Sequence, residues 1–468
     1  MNSRLRLSNV LIKERLHTAL KANLPLLGIL IGSVLVTVST GEFTNFDSHV
    51  EFQAASGVIK WGMPYITFGN FLNEPPVGFY IDALFFTVFN LSYATGVAVI
   101  TLFGIGCTFL VYKIGSVVYG KRTGLFAAAV FALTPWHVVL SRFFLIDAQC
   151  LFFSLLFLFV GIVAIRRGSW RLLLLSGVFF GVALSTKLFA VFMFILLALY
   201  FLWHAPRKIK FMLASPIFFL PAFLFSYLWY EIISGRGFLA ILNHDDFTNF
   251  NPSGINPSPF FVGNYFLGAL GMFFLIAAAL SLFVSLFQRK FFAEFFSFEL
   301  ICVATIAVIV GLHTELGFCQ NMSAPYVSAI KYDYQLLPLF CFLTASLAKK
   351  CRILFEPTVR RSKKNRLFLV MALSGLVLLV GSMMINMRVL NTYVTKDFII
   401  FYVEGDVGFS FDNVALPAVP VYSLVVQEFG FALIAFSLLW ANRNTLSKLT
   451  KRFFKKEKPQ PTKTSDNC

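Results

Sequence analysis

The ionisable residues of this chain are few, and those with the types and spacing for chemistry fall in short stretches. "NFDSHVEFQ" places Asp47, His49 and Glu51 together, and "FLNEPPVGFY" sets Asn73 and Glu74 ahead of paired prolines. "VVLSRFFLIDAQC" holds Arg142 and Asp147 among bulky apolar residues, "GVALSTKLFAVF" carries Lys187, and "AIKYDYQLLPLF" carries Lys331 and Tyr332. A carboxylate such as Asp47 can accept the proton of an attacking hydroxyl. Lysine and arginine aimed at a departing phosphate stabilise the charge that develops on it. Together these residue types suit group transfer from a phosphate-bearing donor.

The local spacing says how they would be held. In a helix, Asp47 and Glu51 stand four residues apart on one face while His49 points elsewhere. Gly57, Gly62 and Pro64 are expected to break that helix, and Asn73-Glu74-Pro75-Pro76 to force an extended return. Any one of these acids is better explained by a solvated loop that favours a helix N-terminus, except Asp47, which the paired prolines follow. Because an unpaired charge among apolar side chains is costly, Arg142 and Asp147 read equally as a structural ion pair, with each other or with Asp47, and as residues with a direct functional role. Lys187 reads equally well as a lysine reaching for the membrane surface, and its neighbours in sequence offer no partner. His244, Asp245 and Asp246 precede Pro-rich turns, and a turn-forming loop accounts for them.

The elements that must position these residues are membrane helices. Hydrophobic residues make up 58% of the 468 positions and charged ones 13%, and Phe alone occupies 59. A soluble domain cannot bury that much apolar surface, so the expected class is an all-α polytopic membrane protein. Apolar runs begin near Leu24, Ala94, Gly124, Ala148, Leu172, Leu188, Phe211, Phe260, Phe295, Tyr334, Leu367 and Ser423. The net charge of +17 resides in short basic clusters between those runs. That pattern sets topology and excludes a nucleic-acid patch. About twelve spans with both termini cytoplasmic agree with every cluster, and "VGFYIDALFFTVFN" (Val77 to Asn90) is excluded as a span because it would invert all later loops. It is read instead as a juxtamembrane or re-entrant element. On this assignment most of the 22 acids, but few of the 39 basic residues, face outward.

The implied organisation is a basic N-terminus (1–23), a transmembrane core (24–348) with a large first outer loop (41–93), and a basic cytoplasmic loop (349–366). C-terminal spans (367–441) with an outer loop (388–422) and a basic tail (442–468) follow. The first apolar run reads as a retained anchor without signal cleavage. The seven Cys show no metal or disulfide spacing.

These motifs resemble the GT-C superfamily of membrane glycosyltransferases, near the dolichyl-phosphate-mannose protein mannosyltransferases and the lipid A aminoarabinose transferases. The resemblance covers roughly 24–348 and rests on "FDSHVEFQAA" with "NEPPVGFY", "GKRTGLFAAAVFALTPWHVVLSRFFLIDAQCLFF", "GVALSTKLFA" and "KYDYQLLPLF" in that order. It implies that Asp47 is the acceptor-activating carboxylate and that Asp147 is a second outer acid shaping the site. It further implies that Arg142, Lys187, Lys331 and Tyr332 face the lipid phosphate. Glu51, Asn73 and Glu74 are supporting residues. The family often carries Lys or His where this chain has Glu74, so phosphate contact must come from elsewhere, or a divalent metal must bridge.

The expected activity is transfer of a sugar from a polyprenyl-phosphate donor to an acceptor hydroxyl on the extracytoplasmic face, with inversion. The implied location is that of a multi-pass membrane protein, in the plasma membrane if the source is prokaryotic. Its partners would be the lipid-linked donor, membrane lipids and a protein, lipid or glycan acceptor, with no nucleic acid. No cofactor is required by the sequence, and a divalent metal is the one the acids would admit. The rivals are a twelve-span secondary transporter and a non-catalytic lipid-binding relative. A transporter is disfavoured because no repeat is visible and the charges collect at the outer rim rather than the midplane.

Overall fold

The computed structural model describes residues 23–38, 46–67, 70–72, 74–204, 298–315 and 334–350, with isolated positions between 220 and 228, 370 and 378, and 426 and 433. The chain divides into two compact units, residues 1–347 with 383–420 and residues 348–382 with 421–468. Every site residue discussed below belongs to the first unit.

Among its described residues that unit is helical apart from one small hairpin. α1 spans Asn23–Val38, α2 Phe46–Trp61 and α3 Val77–Val88. Between α2 and α3 the strands β1 (Tyr65–Thr67) and β2 (Asn70–Phe71) pair antiparallel. α4 covers Tyr93–Tyr119, α5 Lys121–Leu133, α6 Pro135–Leu140 and α7 Asp147–Arg167. α8 covers Trp170–Leu184 and α9 Val191–His204, with a 3-10 turn at Leu188–Ala190 between them. α10 spans Phe298–Glu315, and α11 spans Leu337–Lys350 after a 3-10 turn at Tyr334–Leu336.

Local chemistry explains these boundaries. Ser92 caps α4, its Oγ accepting from Thr95 N at 3.1 Å, which satisfies one of the open amides of the first turn. The run expected to span from Gly124 is split into α5 and α6 at Pro135, which has no amide to continue the ladder. α7 starts on Asp147 and ends on Arg166 and Arg167, charges placed to suit both ends of its dipole.

Two helices among the described residues, Tyr93–Tyr119 and Asp147–Arg167, are long and apolar enough to cross a membrane. α1, α3, α8, α9 and the start of α10 are shorter apolar helices. α3 has 12 residues, about 18 Å of helix against the roughly 30 Å of a bilayer core. The runs expected from Phe211, Phe260, Leu367 and Ser423 lie largely outside the described residues.

The contacts at the helix ends show that the chain runs back and forth. At one end Arg166 donates from Nε to Tyr200 Oη at 2.9 Å, the Tyr119 and Phe298 rings lie 5.9 Å apart, and Ser346 bonds Glu299. The start of α4, the start of α7, the α8–α9 turn and the start of α11 gather at the other end, through the contacts described next.

One expectation is corrected. α2 does not break at Gly57 but continues to Trp61. A Cβ at Gly57 would lie 2.2 Å from the carbonyl oxygen of Tyr65. The glycine is there because β1 packs against the helix at that point, and the helix ends instead at Gly62, whose φ is +74°.

Candidate functional site

The chemistry-bearing residues meet around the N-terminal end of α7. Asp147, its first residue, is buried, and its Oδ2 accepts from the Lys187 ammonium at 2.9 Å. Lys187 follows the end of α8, its N–H donating to Ala183 O at 2.9 Å. Glu74 Oε1 approaches the same ammonium at 3.6 Å and Glu51 Oε1 at 4.0 Å. The side chains of Lys187, Asp147 and Glu51 are at most 5% exposed, and that of Glu74 is 21% exposed. Burial alone would drive the Lys187 proton off. Asp147, Glu74 and Glu51 outweigh that effect and hold its pKa well above the ordinary lysine value.

This arrangement alters two sequence expectations. Asp147 takes Lys187 as its cation, not Arg142. Lys187, which had no partner nearby in sequence, is met by three carboxylates from distant parts of the chain. Glu74 is brought in by the paired prolines and by Val77 N, which donates to Ser185 O at 2.9 Å and fastens the start of α3 beside the Lys187 turn.

α2 is bonded into the same centre. Glu51 Oε2 accepts from Ile146 N at 2.8 Å, so one carboxylate serves an amide at the head of α7 and faces Lys187 as well. Asp47 lies one turn earlier on α2 and is half-buried. Ser48 accepts from Tyr93 Oη at 3.0 Å, and His49 stacks on the Tyr93 ring at 5.6 Å. Burial lowers the His49 pKa, which favours the neutral ring. Arg142 is buried and its Nη1 donates to Thr101 Oγ1 at 3.5 Å.

A second polar group ties the start of α11 to this end of the bundle, and the sequence reading did not single it out. His137 Nδ1 is 2.6 Å from Tyr334 Oη, and its Nε2 is 3.4 Å from Thr108 Oγ1. Gln335 Nε2 donates to Cys150 Sγ at 3.3 Å, and Cys150 Sγ donates to Lys187 O at 3.5 Å. The signal available in sequence was polarity inside apolar runs, as in "TPWHVVL" and "YDYQLL". Asn73, Lys331 and Tyr332, together with His244, Asp245 and Asp246, lie outside the described residues.

Among the described residues no group of three or more His, Cys, Asp or Glu side chains is arranged to hold a metal ion. Glu51, Glu74 and Asp147 converge, but on the Lys187 ammonium, which stands where a cation would sit.

Residues 73–230 match the family described as dolichyl-phosphate-mannose-protein mannosyltransferase. "Putative mannosyltransferase YycA" of Bacillus subtilis (strain 168) is 30% identical over 122 residues, which are 26% of this chain. The chain covers only 18% of that relative's length. Among solved structures, ArnT from Cupriavidus metallidurans bound to undecaprenyl phosphate superposes with a TM-score of 0.56 at 14% identity, covering 92% of this chain and 79% of that one. The apo oligosaccharyltransferase of Archaeoglobus fulgidus gives a TM-score of 0.51 at 11% identity, covering 87% and 56%. The chain thus shares the fold of these two solved structures, and its residues 73–230 match the mannosyltransferase family.

Proposed function

We propose that the chain is a glycosyltransferase that moves a sugar from a polyprenyl-phosphate donor to an acceptor hydroxyl on the extracytoplasmic face. The observation that carries this reading is the placement of α2. The helix that bears Asp47 is bonded through Glu51 to the head of α7 and to Lys187, both within the stretch that matches the mannosyltransferase family.

In this reading the acceptor oxygen attacks the anomeric carbon and its proton passes to the Asp47 carboxylate. The bond from that carbon to the phosphate oxygen breaks, polyprenyl phosphate leaves, and the configuration inverts. Arg142, Lys331 and Tyr332 contact the departing phosphate, where positive charge and hydrogen-bond donors stabilise the transition state. Lys187 acts by gathering Asp147, Glu74 and Glu51, because its ammonium is buried between them. Asp147 and Glu74 then shape the sugar subsite. Asn73 supports the loop that delivers Glu74. The chain crosses the membrane about twelve times with both termini in the cytoplasm, as the basic loops require.

The test is incubation of the purified protein with a panel of labelled polyprenyl-phosphate sugars and acceptors, with and without chelator. Release of polyprenyl phosphate coupled to sugar transfer is the expected result. Failure of every donor, together with solute uptake into proteoliposomes, would replace this reading with the transporter.

A further inference from the structure

Asp82 is completely buried on α3 and takes no part in the Lys187 cluster. Its Oδ1 accepts from Gln149 Nε2 at 2.6 Å, while Asp82 Oδ2 and Gln149 Oε1 have no hydrogen-bond partner among the described residues. No lysine, arginine or histidine of the described residues forms an ion pair with it. A carboxylate sealed from water with a neutral amide as its partner is better off protonated. Burial accordingly pushes the Asp82 carboxyl well above the usual carboxylate range, against the smaller opposing effect of the Gln149 bond.

Gly78 lies four residues before Asp82, on the same face of α3. A Cβ there would stand 2.7 Å from the Ile146 side chain and 2.8 Å from Gln149 Oε1, so only glycine lets α3 approach the head of α7 this closely. Ile146 is the residue whose amide Glu51 accepts, and Gln149 is two residues beyond Asp147. Just upstream of this contact the prolines deliver Glu74 to Lys187. The Asp82–Gln149 bond therefore joins the helix that follows Glu74 to the helix that begins with Asp147.

We propose that Asp82 is a positioning residue for the transfer reaction: as a neutral carboxylic acid bonded to Gln149, it fixes α3 against α7 so that Glu74 and Asp147 converge on Lys187. This inference rests on the proposed function for its kinetic consequence. The chemistry of the link does not: an acid and an amide hold two helices together without placing a net charge in the packed interior.

The test combines infrared spectroscopy with kinetics on the full chain in nanodiscs. The difference spectrum between wild type and Asp82→Asn should contain a protonated-carboxyl band that the variant lacks. Asp82→Asn, which keeps a neutral group with an acceptor, should retain kcat within about threefold. Asp82→Ala and Gln149→Leu should lower kcat by about tenfold to a hundredfold, with donor KM nearly unchanged, as expected when reacting groups are misplaced rather than lost. If Asp82→Ala does not fold, the infrared band and the kcat of Asp82→Asn decide the matter. The proposal is overturned if no such band disappears, if Asp82→Asn falls as far as Asp82→Ala, or if Asp82→Ala keeps wild-type kcat. Absence of transfer by the wild type would overturn the proposed function instead, and the infrared band would still report the state of Asp82.

Discussion

The Lys187 ammonium lies 2.9 Å from the Asp147 carboxylate, with both side chains at most 5% exposed. Two more carboxylates face the same nitrogen, so removing the lysine leaves like charges confined together. Lys187→Met is expected to cost about 3–5 kcal/mol, the range for breaking a buried ion pair. The double variant Lys187→Met/Asp147→Asn should recover part of that loss, because it also removes one of the repelling acids. Thermal unfolding of the single and double variants in one detergent measures both.

The pH dependence of this cluster follows from the raised pKa of Lys187. A group whose pKa is higher in the folded state contributes stability fully below its unfolded value, about 10.4 for lysine, and loses it as pH rises through the folded value. The stability difference between wild type and Lys187→Met should thus stay constant from neutral pH up to about pH 10 and shrink only above that. Unfolding midpoints recorded across alkaline pH provide the check.

Glu51 has two roles that substitution can separate. Glu51→Gln keeps an oxygen for Ile146 N but loses the charge facing Lys187, whereas Glu51→Ala loses both. The alanine variant should be the less stable of the two by about 1–3 kcal/mol, the cost of a buried amide left without an acceptor. Chemical denaturation of the two variants side by side reads this difference.

Gly57→Ala should damage the first loop without touching any ionisable group. The added methyl would meet the Tyr65 carbonyl at 2.2 Å, and that backbone is held by the hairpin. A loss of about 1–3 kcal/mol is expected, as for other overpacked sites. Protease cleavage between α2 and α3 should accelerate in the variant.

Tyr334→Phe removes the hydroxyl that meets His137 Nδ1 at 2.6 Å inside the bundle. A loss of about 1–3 kcal/mol is expected for a buried polar group deprived of a partner. Unfolding of the variant measures it, and His137→Phe/Tyr334→Phe should cost less than the sum of the two single changes.

The sequence made the helical class legible because 58% hydrophobic content leaves few alternatives. It also placed a turn at Lys187 and the convergence of Asp47 and Glu51 on one helix face, since both follow from local spacing. The partner of Asp147 was not legible. Which cation reaches an acid at a helix head depends on how α7, α8 and the loop before α3 pack, and Arg142 was merely nearer in sequence. Gly57 misled for a related reason: it reads as a helix breaker until β1 is seen lying against it. Asp82 and Gln149 look like ordinary polar residues in apolar runs, and only the approach of two helices at Gly78 brings them together.

In the proposed reaction Asp47 takes up the acceptor's proton during transfer from a lipid-linked sugar. The most direct measurement is the rate of polyprenyl phosphate release by wild type and Asp47→Asn, each first shown to insert and unfold alike. Release by the wild type and a fall of at least about a hundredfold in the variant are expected, within the range for loss of a general base. Wild-type turnover in Asp47→Asn would contradict this role.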